Sequence, residues 1–208
     1  PRLQPWQGCA LPLSYARIKL LLNIIKIICH HKLLSLVTMY KKNDLLKLLN
    51  SKNIFYNSFN HEALFSVNDS VDKRGDIKGA HTKNLFLKNK KNSFFLVSCE
   101  EKSNIDLKKL SKLFGGGNLS FAKKEYMEEL IGVPPGSVSP FALLNDKDKK
   151  IGFFLEEKLY KNNILNFHPL INTTTISINK SDFISLMIEK KIKTNIFSLE
   201  SYSVLDIK

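Results

Sequence analysis

A chain of 208 residues, 43% hydrophobic and 25% charged, is long enough for one globular domain whose core needs no disulfide or metal staple. That balance excludes a disordered or fibrous chain. The net charge of +13 would suit a phosphate-rich partner, but only Arg2, Arg17 and Arg74 are arginine. The lysine excess fits AT-rich coding as well as it fits a nucleic-acid-binding surface.

Residues 1 to 38 differ in kind from the rest of the chain: they carry Arg2, Arg17, Lys19, Lys26 and Lys32, no acidic residue, and the only tryptophan, Trp6. The stretch from Lys19 to Leu36 is apolar, but Lys26 and Lys32 interrupt it, each costing about 2.5–3.5 kcal/mol at a bilayer centre. A membrane span is therefore not expected. Lys19, Asn23, Lys26 and His30 recur at helical spacing and would form the polar stripe of an amphipathic helix, as in a surface helix or transit peptide. With Pro1 at the start and Met39 directly before an orderly pattern, the segment reads as an extension. Translated upstream sequence or an expression remnant would account for it, and the functional domain is expected to run from 39 to 208.

From Met39 onward LLKLL, between Asn43 and Asn50, predicts a helix, and IFYNSF a strand. NLFLKN and FFLVSC, separated by KKNS, predict a hairpin. Asp106 to Phe114 predicts a short helix stopped by Gly115, Gly116 and Gly117, and Phe121 to Ile131 another. FALLN and IGFFLE predict a second hairpin across DKDKK, NFHPL and TTTISI later strands, and Ser181 to Lys191 a closing helix. Strands and helices without a regular alternation predict an α+β domain with a mixed, largely antiparallel sheet and flanking helices.

Cys9, Cys29 and Cys99 form no CxxC pair and no zinc spacing with histidine, so neither a disulfide framework nor a metal or other cofactor is expected. A reducing cytoplasm is the expected location. Cys99 closes FFLVSC and reads as a buried strand residue. The glycine triplet lacks GxxxxGK[ST] and comes after a helix, which disfavours a phosphate loop. GVPPGSVSPF couples rigid prolines to Gly132 and Gly136, a loop able to hold backbone amides in a fixed direction. From composition alone, an ordinary connection explains it as well. His81 and Lys83 flank Thr82 ahead of an apolar strand, where either a cleft or a solvated strand end would stand.

The blocks HTKNLFLKNKK, DLKKL, GGGNLSF, GVPPGSVSPFALLND and NFHPL, in this order and spacing, resemble the YbaK and prolyl-tRNA synthetase-associated editing family. Within it they are most similar to the free-standing alanyl-tRNA(Pro) deacylases. The resemblance spans nearly all of Met39 to Lys208 and none of residues 1 to 38. It implies a YbaK-like α+β fold and hydrolysis of mischarged Ala-tRNA(Pro). Lys83 matches the family's functional lysine, and Asn84 the polar residue beside it in the alanine-specific group; cysteine-specific relatives commonly have threonine there. Gly136 and Pro140 frame the GxxxP loop, with Ser137, Val138 and Ser139 between them, and His168 matches the histidine of NFHP. Lys78 stands before Gly79 where relatives more often carry proline, a departure at the approach to His81.

Deacylation needs a placed water, its activation, and donors for the developing oxyanion. The resemblance implies that the GSVSP backbone holds the aminoacyl end and water, with Gly136 at the point of closest approach, while a ribose hydroxyl of the terminal adenosine assists. Lys83 would orient the substrate through its charge, and Asn84 and His168 would shape the amino-acid pocket. A side chain at Gly136 is expected to block substrate and leave the fold intact. The implied partners are the aminoacyl-tRNA acceptor end and, as a second candidate, prolyl-tRNA synthetase; no membrane is implied, and the protein is expected as a monomer. The rivals are a deacylase for cysteine or serine, a non-catalytic tRNA-binding module, and, least favoured, a metal hydrolase, since His61, His81 and His168 show no ligand spacing.

Overall fold

The computed structural model describes residues 17–23, 39–63 and 76–206. Residues 17–23 are helical and exposed. The remainder of the amphipathic stretch, with Lys26, His30 and Lys32, lies outside the described residues, as do Cys9 and Cys29. The chain divides into two units, Pro1–Met39 and Tyr40–Lys208. Among the described residues no helix is long and apolar enough to cross a membrane.

Helix α1 (Lys42–Ser51) forms where the sequence places Leu45 and Leu49 one turn apart, and both are fully buried. Asp44 accepts the Lys41 N–H at 3.1 Å and closes the first turn. The strands are β1 (Tyr56–Asn60), β2 (Ala80–Asn89), β3 (Phe94–Glu100), β4 (Leu119–Phe121), β5 (Ile151–Glu156), β6 (Ile164–Phe167), β7 (Thr174–Asn179), β8 (Thr194–Ser198) and β9 (Ser203–Val204). The order is β1-β7-β6-β2-β3-β5-β8-β9, with β4 on β2. Five of the eight described pairings are antiparallel, and β2–β6, β3–β5 and β5–β8 are parallel. The fold is α+β with a mixed, largely antiparallel sheet, as the sequence predicts.

Alternation along the strands divides the apolar side chains into two layers. Phe86, Leu96, Phe153 and Leu155 join Phe141, Phe167 and Phe183 in the main core. Leu87, Val97, Cys99 and Phe154 form a second cluster with Leu110 and Phe197. The second layer is covered by α2 (Leu107–Leu110), which Asp106 caps by accepting the Lys108 N–H at 2.8 Å. A 3₁₀ turn, Ser111–Phe114, comes next and ends on Gly115 at φ +82°, the left-handed stop that the triplet predicts.

Three expectations are corrected. Phe121 is not the start of a helix: Leu119–Phe121 pairs with β2, and the helical stretch is only α3 (Lys124–Tyr126) and a π turn over Met127–Ile131. FALLN is not a hairpin strand. Pro140 at the first helical position starts a 3₁₀ helix over Pro140–Asn145 in which every residue is buried. Phe141 packs edge-on against Phe167 and Phe183 at 5.7 and 5.9 Å, so a run apolar on all sides is a helix plug inside the core. Asp146 then accepts the N–H groups of Lys150 and Ile151 at 3.2 and 2.8 Å, directing IGFFLE into parallel pairing with β3. Finally, the predicted closing helix is α5 (Lys180–Glu189), preceded by the short α4 (Glu157–Tyr160), and β8 and β9 come after it.

Asn145 ties the segment before α1 to the end of the π turn. Its amide accepts the Tyr40 N–H at 2.6 Å and donates to the carbonyls of Ile131 and Tyr40 at 2.9 and 3.3 Å. Asn145→Leu leaves three backbone groups without their partner, and is expected to cost about 3 kcal/mol and lower Tm by roughly 10 °C. A thermal melt of the variant checks this, and an unchanged Tm removes Asn145 as the pin. Because Tyr40 is anchored in this way, we propose Met39 as the start of the functional domain. A chain trimmed to Met39 is expected to keep its Tm and turnover, and loss of either overturns that boundary.

Candidate functional site

The first half of β2 brings together the polar residues of HTKN. Consecutive strand residues point to opposite faces, and the partners of Lys83 and Asn84 obey that rule. Asn84 lies on the face of the main core, where its carbonyl oxygen accepts from the Ser98 hydroxyl at 2.6 Å and its amide donates to Thr82 Oγ1 at 3.5 Å. Thr82 in turn donates to the Asn166 carbonyl at 2.8 Å. The Lys83 ammonium, on the other face, donates to the Ser103 carbonyl in the turn after β3. An ammonium has three donors, so the Ser103 contact occupies only part of its capacity.

The edge of β2 is interrupted at this point. On one flank β6 pairs only with Ala80 and His81, and β4 only with Leu87 to Asn89, so no described strand pairs with residues 82–86 on that side. Phe86 O accepts from Ala122 N at 2.8 Å on this flank, so the alternation of backbone groups turns the Asn84 N–H and C=O the same way, into the gap. Gly79, just ahead, has φ +105°, and a Cβ there would lie 2.7 Å from Ile164 Cγ2. Close passage of β2 past β6 thus requires glycine.

His168 stands just after β6, which ends at Phe167, so the strand expected over NFHPL stops short of His168. Two residues beyond the last paired positions of the parallel ladder, His81 and Asn166, stand Lys83 and His168. The His168 ring lies 5.8 Å from that of His61, whose Nε2 contacts Thr175 Oγ1 at 2.9 Å. His168 Nδ1–H donates to the Thr174 carbonyl at 2.9 Å, which leaves Nε2 of the neutral ring as an acceptor. Burial depresses the His168 pKa below 6.5; the Thr174 hydrogen bond opposes this, and neighbouring His61 adds to it. The folded protein therefore favours the neutral ring. The associated stability is present above the unfolded value near 6.5 and is lost as pH falls through the depressed folded value. As pH falls below about 6.5, Tm of the wild type is expected to fall more than that of His168→Asn, whose amide can replace the Nδ1 donor. Parallel Tm–pH curves for the two proteins overturn this account.

The GSVSP loop opens with a tight turn. Ser137 N donates to Pro134 O at 3.1 Å, with Pro135 and Gly136 between them and Gly136 at φ +85°. This is the proline–glycine pairing that a type II turn demands. Gly136 is exposed, whereas Ser137, Val138, Ser139 and Pro140 are buried. Val138 joins the main core, so the loop packs on Asn84's side of the sheet. The Ser139 carbonyl accepts from Ala142 N at 3.0 Å, but its hydroxyl, fully buried, has no hydrogen-bond partner among the described residues. Such a hydroxyl costs about 1–3 kcal/mol until something bonds to it.

Lys83 and Asn84 therefore face opposite sides of β2, the buried loop residues lie on Asn84's side, and His168 stands after β6 beside His61. His61, Glu156 and Ser103 were not singled out by sequence reasoning for this region. Only proximity across the fold reveals them. Cys99 is fully buried and its thiol pKa is pushed far up, by burial first and by Glu156 second, against an opposing effect of Lys83. This leaves no thiolate for nucleophilic chemistry.

A family model described as an aminoacyl-tRNA editing domain matches residues 61–186. Prolyl-tRNA synthetase associated domain-containing protein 1 of Danio rerio is 29% identical over 161 residues, covering 76% of this chain and 88% of its own. The Bos taurus protein of that name is 36% identical, covering 61% and 77%. The prolyl-tRNA editing protein ProX of Acetoanaerobium sticklandii is 28% identical, covering 76% and 93%. A crystal structure provisionally described as a trans-editing enzyme for prolyl tRNA synthetase superposes with a TM-score of 0.55 at 17% identity, covering 76% of this chain and 96% of that one. At that identity the superposition speaks for the fold alone.

Proposed function

Since the chain belongs to the aminoacyl-tRNA editing domain family, we propose that it hydrolyses the ester of a mischarged aminoacyl-tRNA in trans, with Ala-tRNA(Pro) as its substrate. The observation that carries this reading is that the matched span of 61–186 contains Lys83, Asn84, the GSVSP loop and His168 together. Water adds across the ester, giving free alanine and the 3′-terminal ribose hydroxyl of the tRNA. No side chain here is an obvious general base, which fits a reaction in which a neighbouring ribose hydroxyl helps activate the water.

Each group then has a task that its surroundings allow. Lys83 spends the donor capacity left by Ser103 on a phosphate or carbonyl oxygen of the acceptor end. The amides of the Gly136 turn and the partnerless Ser139 hydroxyl supply hydrogen bonds to the aminoacyl ester, with Val138 and Pro140 as the loop's apolar wall. Nε2 of neutral His168 accepts from the substrate's amino group. Asn84, fixed by Ser98 and Thr82, limits the depth of the amino-acid pocket. A pocket restricted by size excludes proline but separates alanine from serine or glycine poorly.

A panel of Ala-tRNA(Pro), Ala-tRNA(Ala), Cys-tRNA(Pro) and Pro-tRNA(Pro) tests the assignment. Fastest deacylation of Ala-tRNA(Pro), with Pro-tRNA(Pro) spared, supports it. Preference for the cysteine ester identifies the related deacylase, and hydrolysis of none of the four leaves a tRNA-binding module. Asn84, in place of threonine, is the residue that favours alanine. We place the activity in the cytoplasm, with prolyl-tRNA synthetase as the enzyme whose errors it would correct.

A further inference from the structure

Glu156 closes β5 and is 1% exposed, an acidic side chain to which the proposed reaction assigns no contact with substrate. Its Oε2 accepts the Glu100 N–H at 2.7 Å and the Ser103 hydroxyl at 2.9 Å, and its Oε1 accepts the same hydroxyl at 2.8 Å. Ser103 N also donates to Glu100 O at 3.0 Å, so the turn leaving β3 is closed on itself and clasped to β5 by one carboxylate. The carbonyl of that same Ser103 holds Lys83. A buried carboxylate is tolerated when hydrogen bonds and an opposite charge compensate it. Glu156 and Lys83 both lie near enough to Cys99 to act on its thiol, in opposite directions.

We propose that Glu156 is a positioning residue for deacylation: it fixes the Glu100–Ser103 turn and, through the Ser103 carbonyl, fixes the Lys83 ammonium. The inference rests on the role proposed for Lys83 in orienting the acceptor end. With the turn released, the ammonium loses its anchor and wanders from the position its substrate oxygen requires. A misplacement on the order of 1 Å is enough to slow turnover.

The test is a double-mutant cycle on the full chain, read as kcat and KM per folded molecule with Ala-tRNA(Pro). Glu156→Ala is expected to lower kcat about tenfold while KM stays within roughly twofold. Glu156→Gln, which keeps an acceptor for the Glu100 N–H and the Ser103 hydroxyl, is expected to restore most of the loss. In a Lys83→Ala background, Glu156→Ala should add less than about twofold, because residues acting through one another are not additive. If Glu156→Ala does not fold, Ser103→Ala replaces it, removing only the hydroxyl and keeping the carbonyl that holds Lys83; its effect should likewise vanish in Lys83→Ala. Wild-type kcat in the folded Glu156 or Ser103 alanine variant, or an undiminished loss in the Lys83→Ala background, overturns the inference. Full turnover of Lys83→Ala alone fails the site assignment instead, so the two failures are told apart.

Discussion

Lys83→Ala is expected to lower the rate of deacylation by about a hundredfold or more, the scale seen when one donor to developing transition-state charge is removed. Lost stability is not the cause. Lys83 is half-buried, and the described hydrogen bond of its ammonium is to a backbone carbonyl, so truncation leaves the Ser103 carbonyl to water or to small rearrangement. Tm should therefore move by only a few degrees while kcat collapses. Lys83→Arg sharpens the test, because a guanidinium keeps the charge but cannot occupy the compact point that an ammonium fills. Partial recovery in Lys83→Arg indicates that charge dominates, and none indicates that geometry does. Near-normal single-turnover rates in Lys83→Ala would falsify the assignment of this residue to the site.

Gly136→Asn should give the second largest effect, a loss of at least about tenfold in turnover per folded molecule. The sequence alone suggests that any side chain at Gly136 blocks substrate without disturbing the fold, but the structure corrects this. At φ +85° a valine would strain the turn by about 1–2 kcal/mol, so Gly136→Val would confound strain with obstruction. Asparagine tolerates this conformation and still adds bulk on an exposed peptide. If the acceptor end packs against the turn, Gly136→Asn folds with a small change in Tm and turns over slowly. Wild-type specific activity in this variant would show that GSVSP is only a connection between helix and plug.

Features governed by neighbours a few residues away were legible in the sequence. The Leu45–Leu49 spacing forecast α1, Asp106 and Gly115 bracketed the second helical stretch, and NLFLKN with FFLVSC formed the hairpin that carries Lys83. Capping, glycine stops and period-two alternation are local physics, so they can be read without a fold. The order of the polar blocks also pointed to one family, and with it to Lys83, Asn84, Gly136 and His168 as candidates.

What the tertiary structure alone decided depends on contacts between distant parts of the chain. FALLN was mistaken for a strand because a short run buried on every side has no periodicity to read, and only its packing against Phe167 and Phe183 makes it a plug. Alternation alone turns Lys83 and Asn84 to opposite faces, but which of those faces meets the main core is a tertiary outcome, and the gap beside them exists because β6 and β4 each cover only one end of β2. Asn145 reaches Tyr40 across 105 positions and Glu156 reaches Ser103 across 53, distances over which sequence carries no pairing signal. Local pattern thus placed the elements, and the family resemblance named the candidate residues. Strand order and side-chain reach determined which face each of them occupies and what holds it there, because a buried polar group must find its partner wherever the fold delivers one.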